Sequence, residues 1–212
     1  IFFFRQDLKP FFTISGWKVP ANRKLALLII TASVPTAVLG LAFKKQFESL
    51  FANPVAVCIA LFATGLILLV AEKQAMRQQT GQNLETLTPG KALIIGFAQG
   101  LAITPGISRS GSTIGSSLLC GLNAEASARF SFLLMIPAVG GATILEGRKL
   151  LSGASQIQIS GFEMLVGIVA STITGFLALK LLVFMLKKQK LSIFSYYLFI
   201  VSTISLIAIL GR

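Results

Sequence analysis

Histidine is absent from this chain, and only 12% of its 212 residues are charged. The first absence removes the side chain that most often serves as general base and metal ligand near neutral pH. The second sets the chain apart from soluble domains, in which about a quarter of residues are charged. Cysteine is scarce too: Cys58 and Cys120 lie far apart in apolar surroundings, which speaks against a disulfide framework or a thiolate metal site. Acidic residues number 7 against 19 basic ones, a formal net charge of +12. In a soluble protein that excess would point to nucleic acid. Here the cations fall in short loops between apolar runs, the positive-inside pattern of a membrane protein, so no nucleic-acid partner is expected.

What is present is apolar: 54% of residues are hydrophobic and the mean hydropathy is +0.82. A helix needs about 20 apolar residues to cross a bilayer. Five runs are long enough: Leu25–Phe43, Pro54–Ala71, Ala124–Leu145, Gly161–Leu186 and Leu191–Leu210. Pro54 sits at a first turn, where proline costs a helix least, and Asn123 suits an N-cap. Residues 1–212 read as one integral membrane domain in a multi-pass, all-α bundle embedded in a lipid bilayer. The apolar stub Ile1–Phe4 is too short to span and reads as the end of a helix whose beginning is missing, so the chain is expected to be a fragment.

Two shorter apolar pieces, Lys91–Ile103 and Gly111–Leu122, flank a polar break, Thr104-Pro105-Gly106-Ile107-Ser108-Arg109-Ser110-Gly111-Ser112. Neither piece can cross alone. The expectation is a re-entrant helix-loop-helix that enters and leaves by one face. Loop charges give the same bias whether or not the pair crosses, so the reading rests on segment length and the Pro-Gly break. Small residues recur at helical spacing in Gly96/Gly100, Gly111/Gly115 and Gly167/Ser171/Gly175, which suggests close helix packing. Trp17, Tyr196 and Tyr197 fit interfacial anchors, and Lys180 lies near a span end.

The polar break carries the chemistry. A helix opening near Ser108 would present unpaired N–H groups and a positive dipole end, which suit phosphate. Arg109 can hold phosphate oxygens bidentately. Thr104, Ser108, Ser110 and Ser112 supply hydroxyls, and Gly106 and Gly111 allow close backbone approach. Gln99, just upstream, either bonds the ligand or braces the loop. The bland alternative is a loop that satisfies only its own backbone, with Arg109 paired to Glu125. Known phosphate-handling loops do not match: the position six before Arg109 is Ile103 rather than Cys, no histidine is available, and no Gly-Lys-Ser/Thr follows.

Gly96-Phe97-Ala98-Gln99-Gly100, Pro105-Gly106-Ile107-Ser108-Arg109-Ser110-Gly111-Ser112-Thr113 and Phe130-Ser131-Phe132-Leu133-Leu134-Met135-Ile136-Pro137 together resemble the bacterial undecaprenyl-diphosphate phosphatase (bacitracin-resistance protein) family. The resemblance implies a hydrolase of the bacterial plasma membrane. It would remove the terminal phosphate of the polyprenyl diphosphate lipid undecaprenyl diphosphate, recycling the cell-wall carrier and conferring bacitracin resistance. It implies an inverted-repeat architecture in which two re-entrant loops meet, with Arg109 as the catalytic cation and Ser108 and Ser110 beside it on the diphosphate. A divalent cation (Mg²⁺ or Ca²⁺) is implied as well, its ligands outside this chain, and a homodimer is compatible. The family's glutamate-rich helix and Pro-x-Ser-Ser-Thr-Gly-His motif have no match here; Phe12-Thr13-Ile14-Ser15-Gly16 is only an echo. The chain alone is therefore expected to be inactive. A transporter or flippase of an anionic or lipid-linked substrate is the competing reading, since it needs no general base.

Overall fold

A computed structural model describes residues 9–77, 81–152, 160–187, 190 and 192–211. The stub at 1–4 lies outside the described residues. Nine α-helices are described: α1 (Ile14–Lys18), α2 (Pro20–Ala42), α3 (Lys44–Phe51), α4 (Pro54–Arg77), α5 (Pro89–Leu101), α6 (Arg109–Leu119), α7 (Ala124–Leu151), α8 (Gly161–Lys187) and α9 (Ser192–Leu210). Of these, α2, α4, α7, α8 and α9 are long and apolar enough to cross a membrane. They are the five spans expected from the sequence. The protein is an all-α polytopic membrane protein.

Four of the starts have a local cause in proline or asparagine. Pro20 and Pro89 occupy first turns, where the missing N–H costs nothing. Asn53 Oδ1 accepts from the Ala56 amide at 3.1 Å, and Asn123 Oδ1 from the Ala126 amide at 2.8 Å. Within the spans, hydroxyls turn back onto the preceding helical turn: Thr31 donates to Leu27 O at 2.7 Å and Thr172 to Ile168 O at 2.6 Å. This internal bonding lets polar side chains face hydrocarbon without orphaned donors.

The bonds at the hairpin's mouth decide whether the short pair crosses. The Gln82 amide donates to Gly121 O at 2.9 Å, and the Asn123 amide donates to Gln82 O at 3.0 Å. The strand of chain leading into α5 is thus stitched to the one leaving α6. Both ends of the pair lie at one level, and the turn at 102–108 lies at the other end. The hairpin is re-entrant.

Around it the spans close in. Leu25, Leu28 and Ala32 of α2, Ala92 and Ile95 of α5, and Phe130, Leu133 and Leu134 of α7 form one buried cluster. Ala71 of α4, Ile114 and Leu118 of α6, and Ala128 and Phe132 of α7 form a second. Against α4 lies α9, where the Phe199 ring stands 4.7 Å from that of Phe62. Helix α8 behaves differently. Residues 161–178 are exposed, and α8 touches the second cluster through Leu179, Leu182 and Val183. A Cβ on Gly167 or Gly175 would meet nothing within 4 Å, so the packing expected for that pair with Ser171 is not made among the described residues.

Candidate functional site: the re-entrant turn

The turn begins where α5 ends. The Ile107 amide donates to Thr104 O at 3.1 Å, with Pro105 and Gly106 between them and Gly106 at φ +92°. That is a type II β-turn, in which proline presets the first central residue and the second must take positive φ. Gly106 is required twice over, because a Cβ there would stand 2.4 Å from Val57 O of α4. The space freed at Gly106 is used by α4. Gly111 likewise faces Ser108 and the Thr64 methyl, at 3.1 and 3.4 Å from the Cβ it lacks. Both glycines are thus needed for the seat of the turn against α4 and for the cap of α6.

Ser108 is the N-cap of α6: its Oγ accepts from the Gly111 amide at 3.1 Å. The Ser110 hydroxyl lies 3.5 Å from the Ser108 hydroxyl. With Gly111 capped, the amides of Arg109 and Ser110 have no acceptor among the described residues. Two free N–H groups, the Ser110 hydroxyl and an exposed Arg109 side chain therefore share one helix end. Arg109 makes no ion pair with Glu125 or another carboxylate among the described residues. The structural alternative of an Arg109–Glu125 pair is not what forms.

Depth follows from Thr64. Its hydroxyl donates toward Gly106 O at 3.3 Å and Ala60 O at 3.0 Å, and accepts from the Ser108 amide at 3.1 Å. Thr64 lies near the middle of α4, and at about 1.5 Å per residue each half of that helix is about 15–20 Å long. The turn thus lies near mid-bilayer. A guanidinium at that depth costs at least about 2.5–3.5 kcal/mol unless an anion or water meets it.

The remaining candidates are placed differently. Ser112 is buried, with its hydroxyl unpartnered. Gln99 is also buried; its Nε2 donates to Thr36 Oγ1 of α2 at 3.2 Å, and Thr36 in turn donates to Gly96 O at 2.9 Å. Gln99 therefore braces the hairpin against α2, while its Oε1 has no partner. Thr104 is half-buried at the start of the turn. Sequence reasoning missed Thr64, Thr36 and Ser131, whose hydroxyl meets that of Thr113 at 2.5 Å. Nothing distinguished Thr64 and Thr36 from ordinary hydroxyls in an apolar helix, whereas Ser131 lies within the Phe130–Pro137 stretch that carries the resemblance. At the mouth, outside the five spans, burial pushes the Cys120 thiol up while Lys91 pulls it down, so Cys120 is no ready thiolate. Among the described residues no three His, Cys, Asp or Glu side chains gather to hold a metal ion. The described residues do not fit a divalent cation by themselves.

The family model described as bacitracin resistance protein BacA matches residues 1–204. The chain belongs to the BacA family. Among curated relatives, the undecaprenyl-diphosphatase of Carboxydothermus hydrogenoformans is 45% identical over 186 residues, covering 87% of this chain and 70% of that protein. That of Alkaliphilus metalliredigens is 42% identical over 186 residues, covering 86% and 65%. That of Methanothermobacter thermautotrophicus is 40% identical over 170 residues, covering 80% and 92%. The chain thus spans roughly two thirds of the first two relatives and nearly all of the third.

Proposed function

We propose that this BacA family member acts in the hydrolysis of undecaprenyl diphosphate to undecaprenyl phosphate and inorganic phosphate, and supplies the diphosphate-holding part of that site. The observation that carries the reading is Arg109: exposed near mid-membrane and, among the described residues, without a carboxylate partner and beside two unpaired amides. A lipid-linked diphosphate is an anion that can reach such a depth while its isoprenoid tail stays in hydrocarbon. Arg109 would grip the phosphate oxygens and offset charge developing on the transferred phosphoryl group. Ser110 and the free amides would orient it. The names of the relatives favour hydrolysis over transport.

The setting inferred is the bacterial plasma membrane, with a homodimer as a further expectation. The cation implied by the resemblance would draw its ligands from outside the described residues, and no step here is routed through it. Phosphate release from undecaprenyl diphosphate by the active protein in lipid nanodiscs tests the assignment. Arg109→Ala should lower turnover at least a hundredfold, a loss of the size seen for transition-state donors, whereas Lys180→Ala should leave it within about twofold, as for a surface change. Equal activity of the two variants would remove Arg109 from the site.

A further inference from the structure

We propose that Thr64 is a positioning residue for the diphosphate cradle, holding the α6 N-terminus at its working depth through one hydroxyl group. This rests on the reading of the turn as an anion site and adds a residue on a different helix, distant in sequence. Thr64 is fully buried in α4. Its hydroxyl grips both flanks of the turn, offering its proton to Gly106 O and accepting from the Ser108 amide. Those two backbone groups lie on either side of Ile107, at the point where the chain leaves the β-turn and starts α6. Ser108 in turn caps the helix whose first residue is Arg109. The route from Thr64 to Arg109 is therefore one hydrogen bond and one peptide.

The same hydroxyl also lies 3.0 Å from the Ala60 carbonyl, the ordinary partner of a threonine in an apolar helix. A purely local threonine would need nothing more. Thr64 in addition shares its proton with Gly106 O and accepts from the Ser108 amide of a separate segment, and its methyl packs toward Gly111 on the far side of the cap. Removing the hydroxyl leaves the part-buried Ser108 amide without its acceptor, and an unmet donor of that kind is costly enough to shift the turn. Thr64→Val keeps shape and volume while deleting that acceptor. Thr64→Ser keeps the hydroxyl and deletes only the methyl.

The test is equilibrium binding of farnesyl diphosphate to the purified chain in nanodiscs of phosphatidylethanolamine and phosphatidylglycerol. Thr64→Val should weaken binding about tenfold, the scale of one or two lost hydrogen bonds. Thr64→Ser should stay within about threefold of the starting protein, because the bonding group is retained. In an Arg109→Ala background, Thr64→Val should add less than about twofold, since the two act through one contact. If the valine variant does not fold, Thr64→Ala takes its place under the same criterion. Wild-type affinity in the hydroxyl-deleted variant, or an equal loss in Thr64→Ser, would overturn the role of Thr64 while leaving the cradle standing. Binding that ignores Arg109→Ala in the starting protein would overturn both.

Discussion

Gly96 meets Ala32 backbone to backbone: a Cβ built on Gly96 would stand 1.9 Å from the Ala32 carbonyl oxygen. This contact seats the re-entrant hairpin against α2, and one turn further along Thr36 bridges Gly96 O and Gln99. Both partners are backbone, so neither can swing aside. Gly96→Ala should therefore destabilise the fold by about 2 kcal/mol or more, the range of core overpacking. Gly167→Ala, on the open face of α8, should be neutral or slightly stabilising through helix propensity. Thermal unfolding of both variants in one detergent checks the contrast, and similar losses would show that α8 is packed after all.

Gly106 has two independent reasons to be glycine, its positive φ and the nearby Val57 carbonyl. Gly106→Ala should displace the turn from α4 and abolish Arg109-dependent diphosphate binding, beyond the roughly 1–2 kcal/mol that a left-handed conformation alone costs. Binding retained at full strength would mean that the turn tolerates a looser seat than its geometry implies.

The hydrogen bonds between Gln82 and the Gly121–Asn123 segment place both ends of the hairpin on one membrane face. Asn83→Cys and Asn123→Cys, each made in a background lacking Cys58 and Cys120, should react with a membrane-impermeant maleimide from the same side of sealed vesicles. Labelling from opposite sides would replace the re-entrant hairpin with a crossing.

Glu72, buried near the end of α4, accepts the Ser192 amide at the first turn of α9. A carboxylate there satisfies an orphan amide and faces the positive end of the helix dipole. Glu72→Ala should cost about 1–3 kcal/mol, measured as lowered thermal stability. The diphosphate affinity of the folded fraction should be unchanged, because Glu72 does not touch the turn.

The Pro-Gly break and the helix opening at Ser108-Arg109 were legible because they are local. A type II turn needs Pro-Gly in that order, and a helix opening needs a cap. Gly96/Gly100 and Gly167/Gly175 looked alike in sequence, yet one pair is wedged against α2 and the other faces open space. Spans apolar on every side give no periodic sign of which side packs, so the seam chosen by each glycine pair could not be read in advance. Thr64 was hidden for the same reason: one hydroxyl in a greasy helix is as easily satisfied by its own backbone.

Hydropathy and helix-breaking residues, read along the chain, determined the five spans, the interrupted pair and a cationic turn suited to phosphate, because bilayer thickness and backbone dihedrals act over short stretches. Tertiary structure decided that the hairpin returns to its own face, that Gly96 and Gly106 seat it against α2 and α4, and that Arg109 stands near mid-membrane without a carboxylate among the described residues. Those outcomes depend on which helix faces meet, and contacts between residues tens of positions apart leave no mark in any single segment.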